Sequence, residues 1–190
     1  MATEGQSQGR RAGAADGVAT ALEQIAEYER EAGPTPLTKV ARVIGRTRAF
    51  ALVYRTLMPT LDVRMARSTD GWVSAHVFGL PFLILTTTGA KTGQPRTNPL
   101  IYRRDGDDFL VAGTNWGQPK HPGWTANLLA HPEATIEVGP ARLGVRAALV
   151  PVEEFDQLFA RFVDVYPGYA NYLVRRGTLT PRMFRLTPTG

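Results

Sequence analysis

Residues 83–128 read LILTTTGAKTGQPRTNPLIYRRDGDDFLVAGTNWGQPKHPGWTANL. The opening apolar and threonine-rich run has the pattern of a buried strand, and it stops at the turn Gly89-Ala90-Lys91-Thr92-Gly93, with Arg96 just beyond. A second strand-like run, residues 97–103, enters Asp105-Gly106-Asp107-Asp108 and continues into residues 109–114. A glycine-containing aspartate turn between two apolar runs predicts a β-hairpin. The stretch closes on a second Gly- and Pro-rich loop, residues 113–122, which holds Lys120. Two glycine loops, each with a cation and each adjoining an apolar strand, look like clamps for a long anionic ligand.

Outward from this stretch the pattern alternates strand and helix. Residues 73–78 and 82–88 are β-rich and separated by Gly79-Leu80-Pro81, while residues 122–130 read as a short helix with Trp124, Leu128 and Leu129 on related faces. Residues 135–138 and 142–152 form a strand pair around Gly139 and Pro140. Phe155, Leu158, Phe159 and Phe162 recur at helical spacing across residues 153–166, and residues 183–186 supply a last strand. Strands in meander order with helices at the ends predict an α+β barrel rather than a parallel sheet.

The N-terminal third is different in kind. Residues 1–16 are rich in Gly, Ala, Ser and Gln and are expected to be disordered, because they bury too little to offset chain ordering. Leu22, Ile25 and Tyr28 then predict a short amphipathic helix over residues 18–31, stopped by Gly33 and Pro34. Residues 37–67 carry apolar side chains at helical spacing, split by Pro59 into two helices with basic faces. Such faces suit either packing over a barrel or contact with anionic lipid. The expected division is an extension over residues 1–35 and a single domain over residues 36–190.

Composition removes several chemistries. The 190 residues contain no cysteine, so disulfides, thiolate metal sites, iron–sulfur clusters and cysteine nucleophiles are excluded. Any redox chemistry must come from a borrowed cofactor. A net charge of +5, from 22 basic and 17 acidic residues with Arg far ahead of Lys, favours anionic ligands or surfaces. No apolar run has the roughly 20 residues of a membrane span, and residues 1–20 have no signal-peptide pattern. A cytoplasmic location is expected, and the basic faces of residues 37–67 leave peripheral contact at the inner membrane face open.

Other sites fail on spacing. Residues 89–93 lack the glycine placement of a Walker loop, so nucleotide hydrolysis is not indicated, although glycine amides, Lys91 and Arg96 can still cradle phosphate. His76, His121 and His131 show no metal-ligand spacing, and no GxSxG nucleophile elbow is present. Glu153 and Glu154 open a predicted helix, where they favour its dipole. Arg10-Arg11 and Arg175-Arg176 have no interleaved aromatic platform, so no nucleic-acid partner is expected. The second loop, long and carrying a tryptophan, is built like a functional loop, and it leads into a helix N-terminus.

The runs TTTGAKTGQPRTNPL (86–100), AGTNWGQPKHPGWTANL (112–128) and GWVSAHVFGLPFLIL (71–85) together resemble the deazaflavin-dependent nitroreductase and quinone reductase family. Its members are small split-β-barrel (FMN-binding-like) enzymes with flanking helices that use coenzyme F420, and the similarity extends from about Ala41 to the last strand. The resemblance implies that the cofactor's phosphate and polyglutamate tail meets Ala90, Lys91, Thr92, Arg96, Thr97, Asn98, Pro99, Leu100 and Ile101. It places Ala112, Gly113, Thr114 and Asn115 beside the deazaflavin ring, followed by Gly123, Trp124, Thr125, Ala126 and Asn127 from the short helix. Tyr169 and Tyr172 fall on the substrate side of the ring, and with Thr114 they are the candidate catalytic residues; no metal is needed. Many relatives carry a Ser-Lys or similar pair where Thr114-Asn115 stand, so the hydroxyl is kept and a cation beside the ring is not.

The activity implied is hydride transfer from reduced F420 to a small electron-poor acceptor: a quinone, a nitroaromatic or an activated double bond. Two alternatives remain at this stage, an oxidoreductase of the same barrel shape using flavin mononucleotide, and a non-catalytic F420-binding protein. Both a monomer and a homodimer fit the sequence.

Overall fold

The structure, a computed structural model, describes residues 3–31, 80–166, 168–176 and 179–190. Six antiparallel strands close into a barrel: β1 (Phe82–Thr88), β2 (Pro95–Asp105), β3 (Asp108–Gly113), β4 (Glu133–Val138), β5 (Ala141–Leu149) and β6 (Arg182–Pro188). Their order around the barrel is β1-β2-β3-β6-β5-β4. Closure leaves no unpaired edge. The expected barrel is observed, and β1 has the bounds the sequence predicted. The expected strand over residues 73–78, the helices over residues 37–67, His76, the boundary near residue 35 and the segment invoked for membrane contact all lie outside the described residues.

Period-2 alternation fills the interior. In β5, Ala141, Leu143, Val145 and Ala147 are buried while Arg142 and Arg146 face outward. β3 differs because both its faces are covered: Phe109 and Val111 join the inner core, whereas Leu110 and Ala112 join an outer cluster with Met183 of β6. That outer cluster is closed by α3 (Val152–Val165) and α4 (Gly168–Arg176), helices α1 (Thr3–Glu31) and α2 (Gly123–Ala130) lying earlier in the chain. Burial on both faces is why residues 109–112 read as an unbroken apolar run. α3 buries Phe155, Leu158, Phe159 and Phe162 on one side, at about 1.5–3 kcal/mol for each large apolar side chain.

The two ends of the barrel are closed by different helices. β1 ends, β2 begins and β3 ends at the same rim, and α2 lies across it with Trp124 and Leu128 in the inner core. α1 closes the opposite rim, where Ala21 and Ile25 enter the core and the Tyr102 hydroxyl donates to Glu29 Oε1 at 2.6 Å. Burial, reinforced by the neighbouring Glu29 carboxylate, pushes the Tyr102 phenol above its usual range, so it stays a donor.

α1 departs from expectation. The predicted helix began at residue 18 after a disordered stretch, yet α1 starts at Thr3. Ala, Gln, Glu and Arg propagate a helix readily once its docked half has borne the nucleation cost. α4 was not foreseen as an element at all. Gly168 and Asn171 are weak helix formers, and packing of Tyr169 and Tyr172, three residues apart, supplies what propensity lacks. Glu153 and Glu154 do stand in the first turn of α3, but Glu154 also accepts from Arg185 at 3.3 Å. Arg185 and Arg161 meet on Asp105, at 2.9 and 2.7 Å, and hydrogen bonds from Arg161 and then Arg185 hold that carboxyl below its ordinary value. No described helix is long and apolar enough to cross a membrane.

Candidate functional site

The first turn is tightly self-bonded. Gly89 N–H donates to Gln94 O at 2.9 Å, Gly93 N–H to Gly89 O at 2.8 Å, and Thr92 N–H to Gly89 O at 3.2 Å. Gly93 takes the left-handed conformation, φ 66°, which glycine adopts without penalty. The Ala90 N–H points to Asn127 Oδ1 at 2.9 Å, and Asn127 Nδ2 donates to Thr87 Oγ1 at 3.0 Å. Both ends of the Asn127 amide therefore brace the turn against α2. Among the described residues, Lys91 keeps the one amide of residues 89–94 that has no protein acceptor. Lys91, Thr92 and Arg96 are exposed beside it.

Along β2, Thr97, Asn98, Pro99, Leu100 and Ile101 pair with β1 from Thr86 back to Phe82. Leu100 packs against the inner core and Ile101 against the outer cluster. Only the outward-facing members of this strip can meet a ligand outside the barrel.

The second loop is strained where the first is relaxed. Asn115, Trp116 and Gly117 have φ of 46°, 57° and 76° in succession. Asparagine and glycine tolerate this region, but a bulky residue there costs about 1–2 kcal/mol. The turn is closed by Gly117 N–H to Thr114 O at 2.9 Å, Gln118 N–H to Asn115 O at 3.0 Å, and Asn115 Nδ2 to Lys120 O at 3.0 Å. Thr114 is buried, and its hydroxyl makes no cap hydrogen bond to the turn. Gly113 must be glycine, because a Cβ there would stand 2.8 Å from Thr125 Cγ2 and 3.1 Å from Arg182 O.

α2 divides its residues between packing and surface. Trp124, expected beside the ring, is buried against Phe184 with ring centroids 5.8 Å apart. Thr125 is buried too, its hydroxyl donating to Pro122 O at 2.8 Å, while Gly123 and Ala126 are exposed.

α4 packs on the second loop and carries the tyrosines to it. Tyr169 and Tyr172 are each only 6% exposed and sit edge to face, centroids 5.6 Å apart. Tyr169 also meets Phe159 and Phe162, and the Trp116 ring stands edge-on to Tyr172 at 6.2 Å. Burial, with a smaller push from Tyr166, raises the Tyr169 phenol above its usual range. Ala112 lies in the same outer cluster. One rim of the barrel thus gathers Thr114, Asn115, Trp116, Tyr169 and Tyr172 together with the Lys91 turn. Trp116 was noticed in the sequence as part of a functional-looking loop but given no role.

The cations differ in company. Arg104, Arg146, Arg161 and Arg185 each meet a carboxylate. Among the described residues, Lys91, Arg96 and Lys120 meet none, and neither do Arg103, Arg142 and Arg182, of which Arg182 lies opposite Gly113 at the same rim. Cations left without carboxylates at one rim are suited to an anionic ligand.

Residues 59–183 match the family model described as F420H(2)-dependent quinone reductase. A Mycobacterium tuberculosis protein described as an F420H(2)-dependent quinone reductase is 42% identical over 121 residues, covering 60% of this chain and 80% of the relative. A solved F420-H2 dependent reductase superposes with a TM-score of 0.51 at 32% identity, covering 56% of this chain and 93% of that one. A second solved structure, a domain-swapped dimer, gives 0.53 at 29% identity over 67% of this chain and 96% of its own.

Proposed function

Because the chain belongs to the F420H(2)-dependent quinone reductase family, we propose that it oxidises reduced coenzyme F420 and delivers the hydride to a quinone. The observation that carries this reading from the chain's own residues is the group of cations, Lys91, Arg96 and Lys120, that meet no carboxylate among the described residues, around the rim that also holds Thr114 and the tyrosines. A deazaflavin with a phosphate and polyglutamate tail needs cations along its length and an apolar, partly dry seat for its ring; this donor set fits both demands. A flavin mononucleotide has one phosphate and would leave part of the set unused.

When bound, the cofactor supplies two electrons as a hydride, and the protein's task is binding, orientation and exclusion of water. Lys91 and Arg96 hold the anionic tail, with the Lys91 amide adding a backbone donor. Ala112 to Asn115 border the ring, and the Thr114 hydroxyl is available to it. Tyr169 keeps its proton more firmly than an ordinary tyrosine, so it polarises an acceptor oxygen by donating a hydrogen bond rather than by ionising. Tyr172 closes the seat from the same helix.

The test is direct. Purified protein is titrated with F420 and with flavin mononucleotide, and oxidation of reduced F420 is followed against quinones, nitroaromatics and enones. Lys91→Ala and Arg96→Ala each weaken F420 binding by roughly tenfold at low salt and flatten its salt dependence. Tyr169→Phe lowers turnover by roughly tenfold to a hundredfold with little change in F420 affinity. Absence of F420 binding overturns the reading, binding without turnover favours the non-catalytic alternative, and faster turnover of nitroaromatics or enones than of quinones reassigns the acceptor.

A further inference from the structure

We propose that Trp116 is an acceptor-binding residue: with Tyr172 it forms an aromatic wall that selects planar, electron-poor acceptors over small aliphatic ones. The proposal deepens the F420-reductase reading and rests on it. Four observations converge. Trp116 is a bulky residue at φ 57° and ψ 24°, in the left-handed region where bulky side chains are disfavoured, so it stands there against a local penalty. Its neighbours relieve no such tension for it, since Asn115 and Gly117 accept the left-handed region by their own chemistry. Trp116 is 39% exposed, although the turn around it is closed by the Gly117 N–H to Thr114 O and Gln118 N–H to Asn115 O hydrogen bonds, so the exposed surface projects from a backbone of defined shape. It stands 6.2 Å and edge-on from Tyr172, itself edge to face with Tyr169, two residues along the chain from buried Thr114.

An exposed indole on a closed turn beside buried phenols is a stacking surface. A quinone or nitroaromatic is a flat ring depleted of electrons, and it gains most against an electron-rich indole. A small non-aromatic enone gains little. Trp116 thus sorts acceptors by their π-surface, whereas Tyr169 acts on the oxygen that all of them share.

The experiment compares wild type, Trp116→Gly and Trp116→Phe. Glycine suits the left-handed backbone, so relief of that strain offsets part of the lost Tyr172 contact and Trp116→Gly stays folded, with its thermal midpoint within a few degrees of wild type. F420 affinity is measured first, by fluorescence quenching, and steady-state kinetics then use saturating reduced F420 with a naphthoquinone and with cyclohexenone. The expected result is an F420 Kd within about twofold of wild type, a naphthoquinone KM raised on the order of tenfold, kcat changed far less, and an almost unaltered cyclohexenone KM. Trp116→Phe, which keeps a ring, recovers most of the naphthoquinone KM. Equal losses for both acceptors, a naphthoquinone KM that does not move, or a weakened F420 Kd each overturn the proposal. Wild-type protein that fails to bind F420 brings down the parent reading as well, whereas wild-type turnover with an indifferent Trp116→Gly variant brings down this proposal alone.

Discussion

The turn after β1 and the turn after β3 share a rim of the barrel but are built on opposite principles. The first, residues 89–94, spends one left-handed position on Gly93, closes itself with backbone hydrogen bonds and turns Lys91 to solvent, with Arg96 exposed just beyond it in β2. The second, residues 114–118, puts three consecutive residues into the left-handed region, one of them tryptophan, and depends on α4 packing against it. A relaxed turn with exposed cations suits a flexible, charged tail whose oxygens can be met in several ways. A strained turn leaning on packed aromatics suits a rigid ring, where a displacement of an ångström alters reactivity.

The sharpest way to break the contrast is at the base of the second turn. In Gly113→Ala the new methyl meets Thr125 Cγ2, on a buried side chain already fixed to Pro122 O, and the Arg182 carbonyl, so neither neighbour yields easily. A loss of about 3 kcal/mol in unfolding free energy is expected, read by chemical denaturation. A loss under about 1 kcal/mol would mean that α2 and β6 shift freely and that the second turn is not rigid.

The bracing of the first turn offers the next largest effect. Asn127→Ala strips an acceptor from the Ala90 amide and a donor from the nearly buried Thr87 hydroxyl, for an expected loss of about 2 kcal/mol. F420 affinity should fall with it, because the Lys91 turn loses its support. Asn127→Asp keeps the acceptor for Ala90 but adds a carboxylate beside the Lys91 turn, so it should recover part of the stability and not the affinity; an aspartate variant as unstable as the alanine one would mean that the bond to Ala90 carries little.

The barrel was largely legible in the sequence, and the reasons are local. β1 was read with its true bounds because residues 82–88 form an unbroken strand-like run ended by Gly89, and the hairpin at residues 105–108 announces itself through Gly106. β2 was read too short, since Pro95 and Arg96 look like loop and are strand only because Thr88 and Thr87 lie opposite them. α4 does carry Tyr169, Tyr172 and Leu173 at helical spacing, but over only nine residues opened by the weak helix former Gly168. The sequence offered candidate site positions, but it did not tell which of them pack inside and which face solvent. Asn127 finds its partners 37 and 40 residues away, and Trp124 turns into the barrel to meet Phe184, facts that no spacing in the chain encodes. Trp116 drew notice as a tryptophan in a glycine loop, yet its backbone conformation is set by the closed turn and the helix packed on it.

The smallest effect tests whether the first turn is as relaxed as it looks. A Cβ on Gly93 would meet nothing within 4 Å, so Gly93→Ala probes conformation alone, at φ 66°. It should destabilise the fold by about 1 kcal/mol, a fall of about 2–4 °C in Tm, and Gly93→Asn by less, because asparagine visits the left-handed region more readily. F420 affinity should move less than about twofold in both, since the backbone hydrogen bonds to Gly89 persist and the cations stay where they are. Trp116→Gly is the converse exchange at the other turn, and there function should change far more than stability. A Gly93→Ala variant that loses F420 binding out of proportion to its stability would show that the first turn, too, stores strain for its ligand, and the contrast between the two loops would close.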